Sequence, residues 1–109
     1  MKTSELKEKL KLNVVTTEEY VDSEITGCYI CDLLSHVMAK AKPGNIWITV
    51  QTNVNVVAVA ALTDVACVII PEKIQIEQHT VDKANEKGVI LLSSALDSFT
   101  LCRMLNDLL

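Results

Sequence analysis

Short runs of apolar residues recur along the chain and predict its strands. Three of them, Ile46–Val50, Cys67–Ile70 and Val89–Leu92, are continuous rather than alternating. Such runs are typical of strands that are covered on both faces, as in a parallel sheet. Two further β-branched or apolar stretches, Val14–Thr17 and Ile25–Tyr29, add two more strands. The pattern therefore predicts a sheet of about five strands.

Between these strands, apolar residues at helical spacing predict helices. Because strands and helices alternate, the chain should form βαβ units with right-handed crossovers. We expect one three-layer α/β domain over residues 1–109 with a mostly parallel sheet. The first predicted helix has Leu6 and Leu10 inside and Thr3 or Ser4 as its cap. The second runs from about Asp32 to Pro43-Gly44, with Leu33, Leu34, Val37, Met38 and Ala41 inside. The others are Val54–Leu62, Ile76–Lys87 ending at Gly88, and a last helix capped by Asp97.

The helix predicted at Val54–Leu62 has almost no polar face. A helix that is apolar all round is usually buried on both sides. In a domain of 109 residues, one side should face the sheet, and the other predicts a contact with a second subunit. We therefore expect a homodimer with this helix at or near the interface, or a contact with another protein. The alternative is that its alanines simply face solvent.

The charge balance excludes some classes of partner. The formal net charge is −4, and the lysines near the start alternate with glutamates, so a basic track for nucleic acid is not expected. No apolar run reaches the roughly 18 residues of a membrane helix, and no secretory signal is recognisable. With four cysteines and a sizeable core, we expect reduced thiols and a cytoplasmic location, with no membrane partner.

Cys28-Tyr-Ile-Cys31 is the sharpest local motif. A CxxC at a strand-to-helix junction could form a thiol redox or metal-binding module, since a helix N-terminus stabilises a thiolate. A single CxxC is weak evidence, and free cysteines are commonly small buried apolar residues. A zinc site would need four ligands, and the remaining candidates are dispersed. Those candidates are Cys67, Cys102, His36 and His79.

No catalytic constellation is recognisable. His36 is four residues after Asp32, which predicts a surface pair rather than a catalytic base. No nucleophile is spaced to suggest a triad. The acidic run Glu18–Glu24 lacks the spacing and the glycine of a calcium loop. Phosphate-binding glycine fingerprints are absent. We therefore expect no enzyme activity, no metal and no cofactor.

The remaining candidate site follows from position in the fold. Open parallel sheets bind ligands outside the carboxyl ends of their strands, and helix N-termini there offer N–H groups to anions. Small polar residues follow the predicted strands, and a small anionic metabolite or nucleotide is the ligand class expected. The alternative is that these residues are only caps and loop residues. The candidate ligand-binding residues are Gly27, Cys28, Thr52, Asn53, Asn55, Ser93, Ser94 and Asp97, with Gln51, Glu72 and Lys73 nearby.

From about Val14 to the end, these segments resemble the DRTGG domain family. The resemblance is carried by 27–34 (GCYICDLL), 43–49 (PGNIWIT), 66–70 (ACVII), and 89–94 (VILLSS) with Asp97-Ser98-Phe99. Such domains occur in the central part of some phosphotransacetylases, in CBS-domain pyrophosphatases and in the N-terminal part of HPr kinase/phosphorylase. The resemblance implies a regulatory or dimerising α/β domain with catalysis elsewhere.

The chain departs from the family at one loop. Where the family's Thr-Gly-Gly stretch would follow a strand, this sequence has Ile70-Pro71-Glu72-Lys73. Glycines there would let a backbone approach a ligand closely, and side chains would not. The departure places in doubt any nucleotide binding that the resemblance implies.

Overall fold

The computed structural model describes residues 1–109 and confirms the α/β class. A five-stranded sheet lies between two layers of helices. The strands are β1 (Asn13–Val14), β2 (Gly27–Ile30), β3 (Asn45–Ile48), β4 (Cys67–Ile70) and β5 (Leu91–Ser93), and the helices are α1 (Thr3–Leu10), α2 (Leu34–Lys40), α3 (Asn55–Thr63), α4 (Gln78–Lys87) and α5 (Ser98–Asn106).

The strand order is β1-β5-β4-β3-β2. From β2 to β5 the strands are parallel and each pairs with the next one along the chain, whereas β1 runs antiparallel to β5 at one edge. The other edge is β2. A simple parallel sheet of this kind is built from consecutive β-α-β units, as the alternating pattern predicts.

Alternation along the central strands divides the core into two clusters. On one face, Ile46, Ile48 and Ile69 pack with α1 and α5. On the other face, Trp47 and Val68 pack with α2, α3 and α4. Because both faces are covered, β3 and β4 are buried at every position, which explains their continuous apolar sequence.

The start of α1 differs from the prediction. Neither Thr3 nor Ser4 is its cap residue, because the helix begins at Thr3 itself. The carboxylate of Asp22 accepts hydrogen bonds from the Ser4 backbone N–H (3.0 Å) and hydroxyl (2.5 Å), and the Ser23 carbonyl accepts one from the Thr3 N–H (3.1 Å). The terminal N–H groups are thus satisfied from a distant segment, which local sequence does not reveal.

α2 is also shorter and less buried than predicted. It begins at Leu34, so Leu33 lies before it, and its side chain is 57% exposed. Met38 is 50% exposed, and only Val37 is fully buried. The predicted inner stripe is therefore wrong at two positions, because this seven-residue helix covers the edge of the sheet rather than its centre.

The turn between α2 and β3 requires glycine at one position. Gly44 has a φ of +81°, and a Cβ built there would lie 2.7 Å from the Thr26 side chain. A left-handed φ and a close neighbour both favour a residue without a side chain. The predicted helix stop at Pro43-Gly44 is therefore placed by backbone geometry as well as by proline.

Candidate functional site

The helices that follow β4 and β5 lie on opposite faces of the sheet. The helices that follow β2, β3 and β4 all pack on the face of Trp47, whereas α5, which follows β5, packs on the opposite face. The connections from β4 and β5 therefore diverge at their carboxyl ends. Such a switch point is where open α/β sheets bind ligands.

Backbone hydrogen bonds join the two loops at this switch point. The Lys73 N–H donates to the Ser94 carbonyl (2.9 Å), and the Glu72 N–H donates to the Leu96 carbonyl (3.0 Å). The Ser94 N–H donates in turn to the carbonyl of Ile70 (3.0 Å). Ser94 is buried, and its hydroxyl accepts from the Leu96 N–H (3.0 Å). The predicted residues Ser93, Ser94 and Asp97 are brought together here with the loop after β4.

The loop after β4 keeps a backbone conformation that usually needs glycine. Glu72 and Lys73 have φ values of 61° and 55°, and the Ile74 N–H closes the turn on the Pro71 carbonyl (3.2 Å). Two consecutive left-handed residues inside a four-residue turn correspond to type I′, for which glycine and asparagine are preferred. The glycines are missing from the sequence, but the turn that they would favour is formed.

The polar residues after β3 lie at the same edge of the sheet. The Thr52 carbonyl accepts from the Thr80 hydroxyl at the start of α4 (2.7 Å). The Asn53 side chain accepts from the Asn55 N–H (2.8 Å) and so serves the first turn of α3. Asn55 is exposed and faces a groove between α3 and α4. The polar residues at the carboxyl ends of the strands are here called the rim. Thr52 and Asn53 extend this rim from the switch point to the end of β3.

Asp32 has a role that its spacing to His36 does not predict. Its carboxylate accepts from the Thr49 hydroxyl (2.8 Å) and the Val50 N–H (2.9 Å), while the Asp32 carbonyl accepts from the Gln51 amide (3.1 Å). The predicted pair of Asp32 with His36 is therefore wrong. Strand register could have revealed the true contact, because Ile30 pairs with Ile48 and places the residues after both strands side by side.

Two predicted site residues lie elsewhere. Gly27 begins β2 and pairs with Asn45, the first residue of β3, so it lies at the amino end of the parallel strands. Cys28 follows it and packs against the α1–α5 face of the core. The prediction that these two residues lie with the others at the carboxyl ends of the strands is wrong, because Gly27 is at the beginning of β2.

The two thiols of the CxxC motif contact different clusters. Cys28 packs on the α1–α5 face, and Cys31 packs on the face of Trp47. Desolvation, with a smaller effect of neighbouring Cys102, raises the pKa of the Cys28 thiol to about 12. Burial likewise raises the pKa of Cys67 to about 12. Two thiols that pack on opposite faces of the sheet, with the pKa of Cys28 raised, do not favour a redox pair.

The electrostatics of the rim are mixed. Hydrogen bonding from Thr100 holds the pKa of the Asp97 carboxyl below its usual 3.8, and the same carboxylate accepts from the Thr100 N–H at 2.8 Å. Asp97 is therefore the N-cap of α5, as predicted. Exposed Glu72 and Asp32 add negative charge, and Lys73 adds one positive charge.

Concave surface lies away from the switch point between β4 and β5. A cavity of about 170 Å³ lies below residues 16–21 and against α4. A groove of about 360 Å³ lies between α3 and α4, and shallower hollows flank α5. No group of three or more histidine, cysteine, aspartate or glutamate side chains is arranged to hold a metal ion. None of the helices combines the length and the apolar character needed to cross a bilayer.

Comparisons with known proteins identify the family. A sequence comparison with curated proteins gave no match. Among solved structures, the fold is similar to that of the CBS and DRTGG domains of the regulatory region of Clostridium perfringens pyrophosphatase, which was crystallised with its activator diadenosine tetraphosphate. The TM-score is 0.71 at 13% identity, over 94% of this chain and 44% of that one, so this chain spans less than half of the length of the crystallised regulatory region. The DRTGG domain profile matches residues 5–108, and the chain therefore belongs to the DRTGG domain family.

Proposed function

We propose that this chain is a non-catalytic regulatory module that senses a small anionic metabolite, with nucleotides as the foremost class. The observation that carries the proposal is the switch point between β4 and β5, where the loops after both strands are polar. Family membership supports the regulatory role, and the nucleotide activator of the similar regulatory region supports the ligand class.

The proposed site uses side chains rather than a phosphate-binding backbone. Ser93 and the loop of Ser94 offer hydroxyl and carbonyl groups, and Lys73 offers the one ammonium group beside them. Thr52 and Asn53 extend the surface over the end of β3. A ligand would contact these groups at the surface, because the loops after β4 and β5 are joined by hydrogen bonds and leave no deep cleft.

Thermal unfolding in the presence of nucleotides tests the proposal. A ligand at ten times its dissociation constant adds about 1.4 kcal/mol to the free energy of unfolding, which raises the Tm of a domain of this size by roughly 6 °C. Lys73→Ala should reduce this shift. Lys42→Ala, an equally exposed lysine in the loop before β3, is the matched control and should leave it unchanged. Absence of any shift with millimolar nucleotides would overturn the ligand proposal.

We also propose that the module self-associates through α3. Its outer side is apolar, with exposed Ala58 and Ala61 and with Leu62 at 70% exposure. Exposed apolar surface on a helix that is otherwise buried favours a protein contact. Light scattering tests this part: a stable mass of 12.0 kDa at all micromolar concentrations would refute it. Leu62→Lys should weaken the association.

A further inference from the structure

The groove between α3 and α4 is apolar at its floor and positively charged at its rim. Val54, Val57, Ala58 and Ala61 line it from α3, and it has a volume of about 360 Å³. Lys83 and Lys87 line it from α4 and are the only charged residues in it. This is notable in a chain with 14 acidic and 10 basic residues. Glu86 lies 3.5 Å from Lys83 on the same helix but does not line the groove.

A complementary segment exists elsewhere in the same chain. Residues 18–24, the acidic segment, contain exposed Glu18 and Glu19. Val21 projects from it with 84% exposure, the highest value among the large apolar side chains. The segment thus presents the carboxylates of Glu18 and Glu19 on one side of an apolar side chain, whereas the groove presents two ammonium groups beside an apolar floor. The acidic groups of the segment are therefore complementary to the lysines of the groove, and its apolar side chain is complementary to the apolar floor.

The acidic segment is held on the other flank of α4. The Thr17 N–H donates to the Asn85 side chain at 2.7 Å, and residues 16–21 lie against Ala84, Asn85 and Gly88. The lysines project on the α3 side of the helix, so a segment anchored beside Asn85 does not lie over its own groove. The two complementary surfaces flank one helix, as a self-complementary twofold interface requires.

We propose that the groove between α3 and α4 binds the acidic segment of a second copy, with Glu18 and Glu19 facing Lys83 and Lys87 and Val21 covering Ala58. The contact is reciprocal: each copy supplies one groove and one segment. This inference rests on the proposed self-association through α3 and specifies what covers that helix.

Charge reversal on each side provides the test. One variant carries Lys83→Glu and Lys87→Glu, and the other carries Glu18→Lys and Glu19→Lys. Each alone brings like charges together in a homodimer, so its dissociation constant should rise by about tenfold or more. An equimolar mixture restores opposite charges at both contacts of the heterodimer, so association should return. Sedimentation equilibrium at low and high salt measures both, because screening weakens ionic contacts.

Control variants distinguish a loss of folding from a loss of the proposed contact and from a loss of self-association as a whole. Lys83→Gln with Lys87→Gln covers the case in which the glutamates unfold α4, and circular dichroism checks each variant. Lys7→Glu with Lys9→Glu on α1 makes the same charge change elsewhere and should leave association unchanged. A dimeric wild type whose two charge-reversed variants also remain dimeric would overturn the contact but leave the α3 interface intact. A monomeric wild type would overturn both. If only the lysine variant fails to associate, an acidic partner other than this segment occupies the groove and the proposal is wrong.

Discussion

Glycine substitutions in the turn after β4 should stabilise this protein, although most substitutions destabilise a fold. Glu72 and Lys73 both have a left-handed backbone, with φ values of 61° and 55°. That conformation costs a non-glycine residue about 1–2 kcal/mol. Glycine removes this cost but loses about 0.5–1 kcal/mol of conformational freedom on folding. The net expectation is a gain of about 0.5–1 kcal/mol for Glu72→Gly or Lys73→Gly.

Urea denaturation followed by circular dichroism measures this gain. Each variant should have a higher midpoint with an unchanged slope, and a Tm higher by roughly 2–4 °C. Glu8→Gly is the matched control, because Glu8 is exposed in the last turn of α1 and has a helical backbone. There glycine gains nothing from a left-handed φ and should cost about 0.5–1 kcal/mol. If Glu72→Gly and Lys73→Gly destabilise as Glu8→Gly does, the assigned turn geometry is wrong.

Three further predictions concern the core, the thiols and the α5 cap. Trp47→Phe removes the Nε1–H that donates to the Cys31 carbonyl at 2.9 Å and leaves space in a fully buried site. It should lower the free energy of unfolding, measured in urea, by about 2–3 kcal/mol. A decrease below about 0.5 kcal/mol would contradict the contact. Cys28 and Cys67, whose pKa values are raised from 9.0 to about 12, should alkylate about a thousandfold more slowly at pH 8 in the native protein than in urea, as mass spectrometry of the peptides would show. Asp97→Asn keeps a capping side chain but removes a carboxylate whose pKa in the folded protein lies below 3.8. The stability that this charge contributes is present above the unfolded pKa and is lost as the pH falls through the folded pKa. The free energies of unfolding of wild type and variant should therefore differ at neutral pH and converge in acid.

The centre of the fold could be predicted from the sequence. β4 was expected at Cys67–Ile70 and occupies those residues. A strand that is covered on both faces needs apolar residues at every position, so its sequence is almost unambiguous. The C-terminal helix was equally clear, because Asp97 supplies a cap whose oxygen accepts from the N–H three residues later.

The edges of the sheet could not be predicted as well. β1 has only two residues, against four expected, and β2 is shifted toward Ile30. An edge strand has one neighbour, and where pairing begins and ends depends on that neighbour rather than on its own residues. Exposed apolar residues such as Leu33 and Met38 add to the difficulty, because periodicity assigns every apolar residue to the interior.

The candidate site was predictable only as far as strand direction was known. Ser94 and Asp97 follow a strand and lie at the switch point, whereas Gly27 is the first residue of β2 and lies at the opposite end of the parallel strands. Thr49 was missed because its partner, Asp32, is 17 residues away and meets it only through the register of β2 and β3. Such contacts between loops are set by topology, which no local motif encodes.

The hydrogen bonds at the switch point also limit how a nucleotide could be recognised there. The N–H groups of Glu72, Lys73 and Ser94 are already used by carbonyls of the chain, and the Asp97 carboxylate occupies the N-terminus of α5. A phosphate would therefore find one ammonium group and no cluster of unused backbone donors, in contrast to the usual phosphate sites. The hydroxyl, amide and carbonyl groups of the rim suit a ribose or a base edge better. We expect the first phosphate of a nucleotide to raise the affinity by up to about tenfold through Lys73 and each further phosphate to add little, since the rim offers one ammonium group. Calorimetric titration of a nucleoside, its monophosphate and its triphosphate measures this, and a steep rise in affinity with each phosphate would place the phosphates elsewhere on the protein.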